Sequence, residues 1–154
     1  IETFGTEEQK QSIIPKITSG ECFFAIGMSE PDSGSDLASV KTKATKTDDG
    51  WILEGRKIWS TGAHLSNYMI VLARTSPASE KNRHEGLSQF LVDLSLPNIG
   101  IKGIPDMSGQ RHFNETLFDK VKNYLEKVLQ LFMELIYHQI QIKKNIVEME
   151  NFYL

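Results

Sequence analysis

An apolar run, Cys22 to Gly27, leads into a polar loop, Met28-Ser29-Glu30-Pro31-Asp32-Ser33-Gly34-Ser35-Asp36. A loop of this kind can offer backbone N–H groups and Ser hydroxyls to a polar, anionic ligand. Pro31 fixes one dihedral, and Gly34 allows close approach of a ligand or a positive φ. Ordinary turn chemistry uses the same residue types, so this stretch alone assigns nothing. A second segment rich in polar and small residues is Gly55-Arg56-Lys57-Ile58-Trp59-Ser60-Thr61-Gly62-Ala63. Glu30 and Asp36 form a candidate carboxylate pair, which we read as structural. Arg56, Lys57, Lys81, Arg83 and Arg111 are candidates for meeting phosphates, although scattered basic residues usually form solvated surface. Arg111, within Gly109-Gln110-Arg111, is the one to test first. His64, His84, His112 and His138 show no metal-ligand spacing, so no metal is assigned. The single cysteine, Cys22, excludes an intramolecular disulfide and reads as a small buried hydrophobe.

These residues need elements to hold them. Thr6-Glu7-Glu8-Gln9 fits a capping box with Thr6 as N-cap, and Ile13, Ile14 and Ile17 follow at helical spacing. Pro15 should kink or divide that helix, and Gly20 should end it. From Glu21 the pattern changes to short strands. Candidates are Cys22 to Met28, Val40 to Thr47, Trp51 to Glu54, Lys57 to Ser60, Tyr68 to Arg74, Leu87 to Val92, Gly100 to Ile104 and Glu115 to Phe118. In the second, Val40, Thr42 and Ala44 share one side, and Lys41 and Lys43 the other. Asp49-Gly50 signals a tight hairpin. Ser76 to Glu85 reads as a polar loop. Strands at this spacing predict a mainly β antiparallel sandwich or barrel.

From Lys122 the character changes again. Leu125, Val128, Phe132, Leu135, Ile142, Ile146 and Met149 recur in a three-four series interrupted at Gln139, predicting one amphipathic helix over Tyr124 to Tyr153. Such a stripe needs a cover, either the sheet or a second copy of the chain. The expected organisation is therefore 1–20 helical, 21–121 barrel and 122–154 helical tail.

At 154 residues, with 40% hydrophobic and 24% charged residues, the chain suits one globular domain. A net charge of −3 argues against a nucleic-acid binder. No apolar run approaches the ~18 residues of a membrane span. The start, Ile1-Glu2-Thr3-Phe4, lacks the order of a signal peptide and an initiator Met, so we expect a fragment.

Taken in order, the motifs resemble the middle domain of the acyl-CoA dehydrogenases. Phe4-Gly5-Thr6-Glu7-Glu8-Gln9-Lys10-Gln11 resembles the end of that family's N-terminal helical domain. Ser29-Glu30-Pro31 through Gly34-Ser35-Asp36 and Lys57-Ile58-Trp59-Ser60-Thr61 resemble its flavin-contacting segments. Gly86-Leu87-Ser88, Phe90-Leu91-Val92, Pro97, His112-Phe113-Asn114-Glu115, Phe118-Asp119 and Val121 complete the match. The likeness covers about residues 4 to 121. After Val121 the chain reads Lys122-Asn123-Tyr124 and departs from the family pattern.

The resemblance implies a β-barrel between helical domains, FAD as cofactor and α,β-dehydrogenation of acyl-CoA thioesters. It implies backbone from Ile26, Gly27, Met28 and Ser29 along the flavin, with the Ser29 hydroxyl on the pyrimidine edge. It implies Trp59 packed against the ring system and Thr61 beside N5, with Ser60 between them. It implies Ser35 on the CoA portion of the substrate. Plain readings stand beside these: turn residues for Ser29 and Thr61, core packing for Trp59, a cap for Ser35. The family's base lies in its C-terminal domain, so no catalytic residue is expected here, and the chain alone is expected to be inactive. The implied partners are an acyl-CoA, an electron-transfer flavoprotein and further copies of the chain, in the cytoplasm or the mitochondrial matrix. Alternatives are an acyl-CoA oxidase, a flavin monooxygenase relative, or a non-catalytic barrel that oligomerises through its tail.

Overall fold

The computed structural model describes residues 1–2, 5–79, 82–123 and 127–129. Helix α1 spans Glu7–Thr18, and its N-terminus is the expected capping box: the Gln9 amide donates to Thr6 Oγ1 and the Thr6 amide to Gln9 Oε1. Pro15 lies inside α1 without dividing it. Gly20, at φ 74°, ends the turn, and the Glu21 amide bonds back to the Lys16 carbonyl at 2.9 Å.

Among the described residues eight strands follow: β1 Phe24–Gly27, β2 Lys43–Thr47, β3 Gly50–Thr61, β4 Tyr68–Arg74, β5 Leu87–Asp93, β6 Ile99–Ile104, β7 Phe113–Asn123 and β8 Lys127–Leu129. They form one curled sheet in the order β6-β7-β3-β2-β4-β5-β8, with β1 on the other edge of β4. The expectation of a mainly β, barrel-like domain holds, with two parallel contacts in it. β1 runs parallel to β4, because the whole β2–β3 hairpin lies between them in sequence. β2 meets β4 at one parallel pair, Lys43 with Arg74.

The alternation predicted from Val40 runs through the lead-in segment into β2: Val40, Thr42 and Ala44 are buried while Lys41 and Lys43 are exposed. The hairpin pairs Thr47 with Gly50, so its turn is Asp48-Asp49. The stretches expected as separate strands, Trp51–Glu54 and Lys57–Ser60, are one strand. β3 stays continuous by shifting register between Leu53 and Gly55 and again between Lys57 and Ser60. Gly55 (φ 148°) permits the first bend, since a Cβ there would lie 2.6–2.9 Å from Thr42 atoms.

The barrel interior gathers Ala25, Ala44, Leu53, Met69, Val71, Phe90, Val92, Phe118 and Val121. Trp51 packs edge-on against Phe90, with ring centroids 5.3 Å apart. β4 and β5 are also covered outside. α1 brings Ile13, with Cys22, onto Leu91, and the segment before β2 brings Val40 onto Leu72 and Leu87. That double cover is why Leu87–Val92 is buried at every position, with the polar Ser88 and Gln89 included.

The tail expected as a helix behaves differently where it is described: β7 continues through Asn123, and Lys127–Leu129 pair with β5. β7 has long-range sheet partners in this stretch, which periodicity along one segment does not register. The remainder of the expected helix lies outside the described residues. Among the described residues no helix is long and apolar enough to cross a membrane.

Candidate functional site

The two polar segments meet. β1 ends at Gly27, and the Ile58 amide donates to the Ser29 carbonyl at 2.9 Å, fastening the first loop to the bulged part of β3. Trp59 follows at φ 62°, a left-handed conformation unusual for an aromatic residue. It leaves the indole 57% exposed, edge-on to the half-exposed Phe113 ring at 6.2 Å. Ile26 on β1 is 60% exposed. Ser29 is half-buried and Thr61 exposed, and neither hydroxyl makes a hydrogen bond among the described residues.

Of the sequence-predicted contacts, Ile26, Met28, Ser29, Trp59 and Thr61 are at least partly accessible. Gly27 and Ser60 are buried. Ser60 buries its hydroxyl, which has no partner among the described residues, and its carbonyl accepts from Asn114 Nδ2 at 3.0 Å. Backbone is all it can offer outward. Ser35 is exposed in the turn that follows. Gly34 is not in the positive-φ region, and a Cβ there would meet nothing within 4 Å, so open space lies beside the loop.

The candidate carboxylate pair comes apart. Asp36 is exposed and accepts from Arg83 at 2.7 Å. Glu30 is buried, taking the Thr42 amide (2.8 Å) and Lys57 Nζ (2.8 Å) on Oε1 and the Lys41 amide (2.7 Å) on Oε2. This supports the structural reading of both. Burial would raise the Glu30 pKa, but the hydrogen bonds from Lys57 and Thr42, the Lys57 charge and the Lys41 amide hold it below the ordinary value. Lys57 has no exposed area, and Nζ also donates to the Met28 carbonyl at 3.1 Å. Burial pushes its pKa down to about 8, against the opposing pull of Glu30.

Sequence reasoning placed Lys57 among surface cations. Alternation failed as a guide because Lys57 lies between two register shifts, where inside and outside cannot be counted. Arg56, by contrast, is exposed and bonds Glu115 at 3.0 Å, and Arg111 is exposed with its stem over Gly103. Asn114 was also missed. Fully buried, it joins β7 to the Ser60 carbonyl and to His64 Nδ1 (3.0 Å).

The outward set can hold a flat heteroaromatic ring, with an exposed indole for contact and free hydroxyls for its polar edge. Residues 25–121 match the family model of the acyl-CoA dehydrogenase middle domain. The chain belongs to the acyl-CoA dehydrogenase family. Acyl-CoA dehydrogenase FadE34 of Mycobacterium tuberculosis is 42% identical over 117 residues, covering 76% of this chain and 16% of that protein. Acyl-CoA dehydrogenase IpdE1 of the same organism is 41% identical over 126 residues, covering 82% and 32%. Among solved structures, an acyl-CoA dehydrogenase from Geobacillus kaustophilus aligns with a TM-score of 0.77 at 32% identity, over 88% of this chain and 37% of that one. A glutaryl-CoA dehydrogenase from Mycobacterium smegmatis, solved in complex with FADH2, aligns at 0.71 and 28% identity, over 83% and 32%. The chain thus spans between about a sixth and a third of the length of the curated relatives it matches.

Proposed function

We propose that this domain holds the flavin ring of an FAD-dependent acyl-CoA dehydrogenase and that the protein oxidises acyl-CoA thioesters at the α,β bond. The observation that carries the reading is the joined edge: the Ile58–Ser29 bond puts the exposed indole of Trp59 and the free hydroxyls of Ser29 and Thr61 on adjoining segments. FAD, when bound, supplies the hydride acceptor. The protein's part is contact and orientation. Ile26, Met28 and Trp59 offer apolar surface, and Ser29 and Thr61 offer hydrogen bonds to the polar edge. The backbone of Gly27 and Ser60 completes the cradle, and Ser35 faces the CoA portion. Thr61 beside the ring favours added negative charge there.

Removal of the α proton falls to a residue outside the described part of this chain. The Glu30 oxygens are already occupied and buried, and Glu115 is paired with Arg56. An acyl-CoA, an electron-transfer flavoprotein and self-association, in the cytoplasm or the mitochondrial matrix, complete the proposal. Titration of FAD against the chain, followed by flavin fluorescence, tests it. Saturable binding weaker than about 1 μM is expected, because the barrel gives only part of the site. Dye reduction with short, medium and branched acyl-CoAs should show no turnover. Turnover lost on Glu30→Gln or Glu115→Gln would overturn the assignment of the base. FAD binding that ignores Trp59 substitution would overturn the assignment of the cradle.

A further inference from the structure

We propose that Lys57 is a positioning residue for the flavin edge: its ammonium, reached by a stem running beside Gly27, ties the Met28 carbonyl to Glu30 and holds Ser29 in register with Trp59 and Thr61. The inference rests on the flavin reading above and adds the device that keeps its two segments together.

Each link is a short contact. Lys57 Nζ donates to Met28 O at 3.1 Å and to Glu30 Oε1 at 2.8 Å. Glu30 in turn receives the amides of Lys41 and Thr42, so the ammonium reaches the segment leading into β2 through the carboxylate. The residue after Lys57 donates its amide to the Ser29 carbonyl, and the residue after that is Trp59. One side chain therefore fixes the carbonyl before Ser29 from inside, while its own strand fixes the carbonyl of Ser29. The space for the stem depends on Gly27, where a Cβ would lie 3.3 Å from Lys57 Cγ and 2.7 Å from Met69 Sδ.

Stability alone does not call for a charge here. Buried ion pairs are often matched or exceeded by apolar residues of similar volume. An ammonium supplies what an apolar side chain lacks, several donors from one atom aimed at a carbonyl and a carboxylate together. It does so beside a loop whose Ser29 hydroxyl has no partner among the described residues.

The test compares Lys57→Met, which keeps most of the volume, with Lys57→Met/Glu30→Gln, which leaves no unpaired buried charge and protects against misfolding of the single variant. Hydrogen exchange in the full chain reads the Ile58 amide against those of Leu72 and Val92, and FAD titration reads the site. In the double variant, Ile58 protection should fall about tenfold relative to Val92. The FAD dissociation constant should rise about tenfold. Unchanged Ile58 protection would overturn the clamp. Lost protection with unchanged FAD affinity would reduce Lys57 to a structural residue and overturn the positioning role. If wild type itself shows no saturation up to about 1 mM FAD while Ile58 still loosens in the variant, the flavin reading has failed and the clamp stands without it.

Discussion

The wall formed by β4 and β5 and the edge formed by β1, the 28–36 loop and the bulged half of β3 follow opposite rules. In the wall, Met69, Val71, Leu72, Ala73, Phe90, Leu91 and Val92 have no exposed area at all. Register there runs without a break from Tyr68–Asp93 to Arg74–Leu87. On the edge an indole and Ile26 face outward, a lysine is fully buried, an aromatic residue sits at positive φ, and the register shifts. Several departures from ordinary packing are collected on the segments proposed to hold the flavin, where function rather than stability would be expected to set them. The wall supplies the stability that lets the edge keep them.

Truncation within the wall should have the largest effect. Phe90→Ala removes the ring against which Trp51 packs and leaves a cavity in the main core, at a cost of about 3–5 kcal/mol. The equivalent truncation on the edge, Ile26→Ala, should stay within about 0.5 kcal/mol of wild type. Urea unfolding monitored by Trp fluorescence measures both. Comparable losses at the two sites would erase the contrast.

Charge separates the regions next, since the wall strands place no ionisable side chain among the buried residues and the edge buries a pair. Glu30 titrates below its ordinary value in the folded chain, so its contribution is present above pH 4.5 and lost as pH falls through the folded pKa. Lys57 has the opposite consequence. Between about 8, its folded value, and 10.5, its ordinary one, the unfolded chain holds the extra proton, so stability should rise with pH. Unfolding midpoints across both ranges should show these slopes in wild type and lose them in Lys57→Met/Glu30→Gln. Parallel profiles for the two proteins would show that the pair does not titrate as its surroundings dictate.

The wall was legible in sequence and the edge only in part. The spacing predicts Tyr68–Arg74 to the residue and Leu87–Val92 to within one, because Met69 to Ala73 and Phe90 to Val92 are apolar runs bounded by polar residues. The capping box of α1 was legible because it is local. On the edge, residue types pointed to two segments that the Ile58–Ser29 hydrogen bond joins, but facing could not be counted across two bulges. Lys57 was therefore expected outside, and Ser60 was counted with the outward residues although its side chain turns in. The parallel pairing of β1 with β4 spans some forty residues and leaves no local trace. The stretch after Val121 shows the converse. Its three-four spacing suggests a helix, yet Lys127–Leu129 pair in the sheet, where neighbours rather than periodicity decide.

A smaller effect probes the join between the regions. Gly27 sits where β1 lies over Met69 of the wall and Lys57 of the edge. A methyl group there forces one of them aside, and overpacking of this kind costs about 1–3 kcal/mol. In Gly27→Ala, the Met69 thioether is the closer obstacle and a flexible one, so the cost should fall at the lower end. Exchange of the Ile58 amide should rise more than that of Val92. Equal changes at both would mean that the strain spreads through the sheet instead of staying on the edge.

The smallest expected change in stability carries the sharpest contrast, because it reverses an ordinary order. At an unstrained strand position, Ala is more stable than Gly by about 0.5–1 kcal/mol. Trp59 sits at φ 62°, where any residue with a Cβ is disfavoured by about 1–2 kcal/mol. Removing the indole forfeits its edge-on contact with Phe113, worth about 0.5–1.5 kcal/mol, in either variant. For Trp59→Gly the lost contact and the relieved backbone nearly cancel, which leaves it within about 1 kcal/mol of wild type. Trp59→Ala keeps the strained backbone and loses the contact, so it should be the less stable of the two. Both should lose the ring surface proposed for the flavin and weaken FAD binding alike. Urea midpoints give the first comparison and FAD titration the second. If Ala proved more stable than Gly, the turned-out backbone at Trp59 would not be strained. If the Gly variant kept full FAD affinity, the indole would be an exposed side chain without the proposed role.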